Sequence, residues 1–345
     1  MADKRNVTIF ASRKTIRHAM TYEMIKTRVV GVAISLERTT TAVVDVRGNV
    51  IARDDFPTGD NPNVGDFASR LSENIVNLVE ANGGYESIRS IGVCCPSANF
   101  LMGCIVNAPN LPWKGVVPLA AMMRDRMGLA VALGNNAYTR ALGEQAYGVA
   151  HGMKDFILIT LGSGMGSCIV SNGLPHIGRD GFAGEIGHTC AVSGGRLCGC
   201  GNKGCLEMYT SRKGIVQTAV ELMAENSEPS KMRTVEELTA DVVYSLCNEG
   251  DVLATEVMRR TGYMLGIGLA NYASMINPEA IIFTGGVARY GDCLLDPALE
   301  AFNSHVFHNI EGKVKFLISQ FDESEANLLG ASVLAWNVKE YSLFK

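Results

Sequence analysis

One imidazole and three thiols fall within a short, glycine-rich stretch, His188-x9-Cys198-x-Cys200-x4-Cys205. One nitrogen and three sulfur donors form the ligand set of a closed tetrahedral zinc site. Gly194, Gly195, Gly199, Gly201 and Gly204 would let a short loop wrap round a single ion. Four protein ligands leave no position for a reactive water, so such a metal is structural. The alternative, free thiols in a loop, leaves the clustering unexplained. Glu185 and Glu207 flank this stretch. Carboxylates accept strong hydrogen bonds, so a pair held by a rigid loop could bind the hydroxyls of a sugar. The competing reading is a pair of solvated surface acids.

Two further segments suit phosphate. Gly162-Ser163-Gly164-Met165-Gly166 follows an apolar strand ending near Thr160, and glycines there let backbone N–H groups approach phosphate oxygens. An ordinary β-turn explains the same residues. Thr284-Gly285-Gly286 follows another apolar run and could hold a base or ribose at a strand's carboxyl end.

These residues need a scaffold of alternating strands and helices. Val29 to Ile34, Thr40 to Asp45 and Val50 to Ala52 read as strands, with Arg47-Gly48-Asn49 as a turn. Phe67, Leu71, Ile75, Leu78 and Val79 form one stripe of a helix over 66–81. Residues 90–95 and 129–133 are short apolar runs that suit buried parallel strands, with a helix at 118–127 between them. A second cycle follows. It has strands at 155–161 and 167–171, helices at 235–248 and 254–273, strands at 280–283 and 314–318, and a last helix from 325 to about 336. Two halves, each a glycine-marked hairpin followed by alternating elements, suggest a duplicated α/β architecture.

A chain of 345 residues exceeds one comfortable core, which makes two domains the expectation. With 47% hydrophobic and 19% charged residues it can bury a large core, which excludes disorder. No apolar run is long enough to span a membrane. A net charge of -4 argues against a broad basic field for nucleic acid. Ten cysteines without a secretory signal read as thiols in a reducing cytoplasm. Residues 1–28 stand apart as a basic leader, through Lys4, Arg5, Arg13, Lys14, Arg17, Lys26 and Arg28. That leader reads as a solvated or docking helix, or as a partner arm.

The motifs together resemble the ROK family (repressor, open reading frame, kinase) of sugar kinases and sugar-responsive repressors. The resemblance rests on Gly187-His188 followed by Cys198-Gly-Cys-Gly-Asn-Lys-Gly-Cys205-Leu-Glu207, on Ile276-Asn277-Pro278-Glu279 through Thr284-Gly285-Gly286, and on Thr160-Leu-Gly-Ser-Gly-Met-Gly. It runs from about Val29 to about Asn337. It implies an actin-like ATPase fold (hexokinase-like, ribonuclease H-like) with a cleft between two α/β domains. The smaller would be 29–138, completed by a C-terminal helix in 325–345 that packs back on it; the larger would be 139–324, with the zinc loop. It implies a soluble cytoplasmic homodimer or homotetramer that uses ATP with Mg²⁺ to phosphorylate the 6-hydroxyl of a hexose or N-acetylhexosamine. Carried over residue by residue, the sugar site would be Asn135, Glu185, His188 and Glu207. The nucleotide site would be Thr160, Gly162, Ser163, Gly164, Gly285 and Gly286. His188 would hold zinc on one ring nitrogen and a sugar hydroxyl on the other, so the metal orients the sugar without touching the reaction.

Two positions depart from the kinase pattern. The family's catalytic Asp lies in an Asn-Asp-Ala segment, and here Gly134-Asn135-Asn136-Ala137 puts Asn136 in its place. An amide can hydrogen-bond the attacking hydroxyl but cannot take its proton. The first phosphate loop, normally Asp-x-Gly-Gly-Thr, reads Ala33-Ile34-Ser35-Leu36-Glu37. Ala33 thus stands where an Asp helps organise Mg²⁺, and Glu37 would bring negative charge towards the phosphates. Three readings follow: an impaired hexose kinase, a catalytically inactive sugar-binding sensor, and a ROK-type transcriptional regulator. For the last, the residues before Val29 are expected to be too few for a winged helix-turn-helix.

Overall fold

The computed structural model describes residues 26–109 and 111–338. Most of the basic leader, residues 1–25, lies outside them. Its first sheet is built from β1 (Arg28–Ile34), β2 (Arg38–Asp45), β3 (Val50–Pro57), β4 (Ile88–Cys94) and, later in the chain, Ala130–Gly134. Between β3 and β4 runs α1 (Val64–Glu80), whose Phe67, Leu71, Ile75 and Val79 are buried on one stripe. Asn63 caps it by accepting from the N–H groups of Gly65 and Asp66. After β4 come three short strands, β5 (Ala98–Asn99), β6 (Cys104–Val106) and β7 (Val116–Val117), then α2 (Leu119–Met127), β8 (Ala130–Gly134) and α3 (Asn136–Tyr147).

The second sheet is made of β9 (Phe156–Leu161), β10 (Met165–Ser171), β11 (Leu174–Pro175), β12 (Ala280–Thr284) and β13 (Lys315–Ile318). Between β11 and β12 lie α4 (Glu207–Thr210), α5 (Arg212–Glu225), α6 (Ala240–Asn248) and α7 (Val252–Ile276). α8 (Asp292–His305) precedes β13, and α9 (Glu323–Asn337) follows it.

The two sheets run β3-β2-β1-β4-β8 and β11-β10-β9-β12-β13, which is the same order in each half. In each, an antiparallel hairpin is extended by two parallel strands. The duplication expected from the glycine-marked hairpins is therefore present in the topology. The central strands β9 and β12 are buried on both faces, as a covered parallel sheet requires.

Although α9 is last in the chain, it packs on the first sheet: Val29, Ala42 and Val44 share a core with Leu328, Leu329 and Ala335. Ser90 Oγ donates to the Ala335 carbonyl at 2.7 Å. Gly92 makes this approach possible, because a Cβ there would fall on the Ala331 carbonyl oxygen. Gly92→Ala is therefore expected to cost about 1–3 kcal/mol through overpacking against backbone. A lowered melting temperature checks this, and an unchanged one would show that α9 yields.

The structure corrects several boundaries. β3 continues to Pro57 because Phe56 turns into the core. The helix read over 235–248 starts only at Ala240, where Thr239 caps it by accepting from Val242 N–H at 3.2 Å. The small β5-β6-β7 sheet has strands of two or three residues, too short to show a period in sequence.

Candidate active site

The site lies at the carboxyl ends of the parallel strands in both sheets. In the first sheet Ala33, Cys94 and Gly134 are register partners in one row across β1, β4 and β8. Asn135 follows as the N-cap of α3, its Oδ1 accepting the Tyr138 N–H at 2.8 Å. Asn136 is the first residue of that helix. Its Oδ1 lies 3.4 Å from the Cys94 Sγ, which also accepts from the Thr139 hydroxyl at 3.0 Å. Burial pushes the Cys94 thiol up to about 11, so it keeps its proton and donates to the amide. In the second sheet Thr160 and Thr284 are register partners at the ends of β9 and β12, each followed by a glycine turn. Gly285 has φ +96° there, a conformation that few other residues adopt.

These two rows face each other across a cleft of about 720 Å³. It is lined by Asn135, Asn136, Thr160, Gly162, Ser163, Gly164, Glu185, His188, Glu207, Gly285 and Gly286. Every candidate sugar, catalytic and nucleotide residue read from the sequence is thus on one surface. Ala33 and Glu37 are not. Ala33 packs beside the core under α9, and Glu37 is exposed in the β1–β2 turn, where its carbonyl accepts from Thr58 N–H. The expectation that Glu37 brings charge to the phosphates is corrected accordingly.

The segment carrying Glu185 is fastened from β10. The Ser167 hydroxyl donates to the Gly184 carbonyl and accepts from Ile186 N–H. Burial raises the Glu185 carboxyl; His188 opposes that rise, and the nearby Glu207 adds to it. Glu207 opens α4 and reaches the glycine turn, where its Oε2 accepts Met165 N–H at 2.8 Å. A Cβ at Gly164 would stand 2.6 Å from that oxygen, so the glycine admits the carboxylate. One side chain therefore ties the helix that follows the cysteine loop to the glycine turn at 162–166.

His188, Cys198, Cys200 and Cys205 bring their ligand atoms within 4.8 Å of one another. Cys200 and Cys205 sulfurs are 3.7 Å apart, and Cys198 Sγ is 3.7 Å from His188 Nδ1. A tetrahedron with Zn–S near 2.3 Å places its sulfurs about 3.8 Å apart, so the donors fit such an ion. Nδ1 faces the cluster, while the ring borders the cleft. Burial pushes the Cys205 thiol up to about 12, with the neighbouring thiols adding to it. A divalent cation is what allows such thiols to ionise together. Arg196, in the same loop, donates to the carbonyls of Met208 and Gly214 and to Thr218, and so clamps the loop onto α4 and α5.

The residues present do not fit a Mg²⁺ ion where the family keeps one. The two positions where the resemblance expects Asp hold Ala33 and Asn136, neither of which carries a carboxylate, and one oxygen of Glu207 is taken by Met165 N–H.

Sequence reasoning missed Ser97, Arg140, Phe182, Arg212 and Glu323, which also line the cleft. Ser97 has φ +56° in the turn after Pro96, a strained position for a non-glycine residue at a functional edge. Arg140 lies four residues after Asn136, so helical spacing alone places it on the same face.

A two-sheet α/β fold with its ligand groups gathered in the cleft defines the actin-like ATPase class, and its hexokinase branch is borne out by solved structures. The sequence matches the profile of the ROK family over residues 29–338, and the chain belongs to that family. It is 32% identical over 321 residues to a glucokinase of Halalkalibacterium halodurans, covering 90% of this chain and 94% of the relative. A ROK family glucokinase from Streptomyces griseus in complex with glucose and AMPPNP superposes with a TM-score of 0.72 at 28% identity, over 90% of this chain and 100% of that one. A ROK family transcriptional regulator, a homolog of E. coli MLC protein, superposes with a TM-score of 0.77 at 26% identity, over 89% of this chain and 77% of that one.

Proposed function

We propose that this chain is a ROK sugar kinase that transfers a phosphoryl group from ATP to the 6-hydroxyl of an aldohexose or N-acetylhexosamine, with a slow chemical step. The observation that carries the reading is the convergence of Asn135, Glu185, His188 and Glu207 with both glycine turns on one cleft. The glucose-bound glucokinase relative supports the assignment. In this reading Asn135 Nδ2, Glu185, His188 and Glu207 orient the sugar, and zinc held by His188 and the three cysteines fixes the loop beneath it. ATP phosphates lie against the 162–164 turn, and the nucleoside lies towards Gly285-Gly286. Asn136 hydrogen-bonds the attacking hydroxyl.

The reading includes a division into a unit of 29–138 closed by α9 and a unit of 139–324. It also includes a cytoplasmic homodimer or homotetramer. Among the described residues no helix is long and apolar enough to cross a membrane. A second reading, a catalytically silent sugar sensor, is favoured by one feature: the sugar end of the cleft is complete while the positions of both family aspartates carry no carboxylate.

Hexose binding tests the sugar assignment under either reading. A hexose panel is expected to raise the melting temperature by linkage. Glu185→Ala is expected to abolish the shift while leaving the apo melting temperature within a degree or two, because Glu185 is bordered by the cleft rather than by core. If no aldohexose or N-acetylhexosamine shifts the wild type at about 10–50 mM, a range that linkage makes detectable even for millimolar affinity, the sugar assignment is wrong.

A further inference from the structure

Arg140 is a buried cation at the cleft. Its side chain is 7% exposed, yet it lines the cleft wall one helical turn beyond Asn136. Nε donates to Asn327 Oδ1 at 2.8 Å, which fixes the guanidinium plane between α3 and α9. The nearest carboxylate to the outer nitrogens is Glu323, with 3.8 Å from Nη1 to Oε1, beyond hydrogen-bond range. That carboxylate is 59% exposed and also borders the cleft. Among the described residues the terminal nitrogens of Arg140 make no hydrogen bond. Those nitrogens are not sealed in the protein but open to the cleft, and a guanidinium whose stem is buried and whose donors open to a cleft is placed to meet an anion. The cleft is also lined by the glycine turn at 162–164 and by the half-exposed Arg212, which is paired with Asp241 and also feels the charge of Glu323. Asn136, which the resemblance places at the family's Asp position, puts an amide rather than a carboxylate on the same wall. A rigid cation thus borders the cleft where the resemblance expects an acid.

We propose that Arg140 anchors a phosphoryl anion in the cleft without a divalent metal ion, and that Glu323 is the displaceable group competing for it. The guanidinium presents planar paired donors that match phosphate oxygens, and it is always charged. The inference rests on the cleft being the phosphate site of the proposed kinase, but it concerns binding and not turnover. The ligand is a phosphate ester or polyphosphate, and the choice of probe distinguishes a nucleotide from a sugar phosphate.

The test is calorimetric titration of the full chain in EDTA with ATP, with tripolyphosphate and with glucose 6-phosphate, each repeated with Mg²⁺. At least one anion is expected to bind in EDTA, and Mg²⁺ to change its Kd by less than about threefold. Arg140→Gln is expected to weaken that Kd by about 10- to 100-fold, the range for losing a charged hydrogen-bonded contact. Glu323→Gln is expected to tighten it severalfold, which a purely structural clamp between α3 and α9 would not produce. Binding of ATP and tripolyphosphate assigns the site to a nucleotide; binding of glucose 6-phosphate alone assigns it to a sugar phosphate. The proposal is overturned if no anion binds without Mg²⁺, or if Glu323→Gln leaves the affinity unchanged. It is also overturned if a folded Arg140→Gln binds like wild type. Should Arg140→Gln not fold, the wild-type and Glu323→Gln titrations decide alone. Glucose titrated in parallel separates the two readings: anion binding that follows Arg140 in a chain that ignores glucose sinks the sugar assignment and leaves this one standing.

Discussion

Asn136→Asp is expected to raise the sugar-phosphorylating turnover number by about 10²-fold or more, within the range that a positioned general base contributes. The Michaelis constant for sugar should change far less, because the proton moves only in the transition state. The position is prepared for the change. Asn136 opens α3, and a carboxylate in the first turn of a helix is stabilised by the macrodipole. The Cys94 thiol, held protonated by burial, already offers a donor to the Asn136 oxygen and would offer the same to a carboxylate. The variant should therefore fold as the parent does, and a gain in rate would reflect chemistry. Arg140, four residues on, limits the gain by favouring the ionised form and so weakening the new group as a base. Ala33→Asp alone should act mainly on the use of Mg²⁺ and ATP. The two changes bear on one step and need not add. A coupled assay for ADP release on parent, singles and double measures all of this. A parent that already turns over at an ordinary kinase rate of about 1–100 per second, with Asn136→Asp no faster, would show that another carboxylate is the base; Glu185 would be the first to examine.

Much of this site was legible in the sequence because its chemistry is local. The four residues that could hold a metal lie within one short stretch, and the glycine turns mark strand ends, so spacing brings both to notice. The paired hairpins were legible for the same reason: antiparallel neighbours are close in sequence. What could not be read is what depends on distant packing. Arg140 looks like any helical arginine until α9, nearly two hundred residues later, closes over it through Asn327. Glu323 joins the cleft by the same return. Glu207 was legible as a carboxylate beside the cysteine loop, but its bond to Met165 N–H, 42 residues back, depends on α4 folding against β10. Glu37 was misplaced because sequence puts it next to the first phosphate segment, while the β1–β2 turn carries it outward to solvent.

The loop from His188 to Cys205 gives the other large effect. Protein purified without added metal is expected to contain about one equivalent of zinc per chain, bound through His188, Cys198, Cys200 and Cys205. Metal binding at a closed site is folding free energy, of the order of 10 kcal/mol or more for small zinc modules at neutral pH. Here it would add to a segment that has no regular strand or helix and is held by local backbone bonds, such as Cys198 N–H to Asn202 and Gly204 N–H to Arg196, and by two isolated bridges at Cys190–Cys205 and Leu197–Lys203. Cys198→Ser should therefore lose most of the zinc and lower the melting temperature by several degrees. Cys190→Ser is the matched control, since Cys190 is exposed and outside the cluster, and it should keep both. Sugar binding then separates the two tasks of the loop. Glu185→Ala should abolish the hexose shift and keep the zinc, because Glu185 borders the cleft and is not one of the cluster's four donors. Cys198→Ser should lose both, because without the metal His188 loses its fixed ring and Glu207 its support beside the glycine turn. Zinc below about a tenth of an equivalent, with Cys198→Ser as stable as the parent, would remove the metal from the account. A zinc-depleted chain that still binds hexose normally would instead confine the metal to stability and detach it from the sugar pocket.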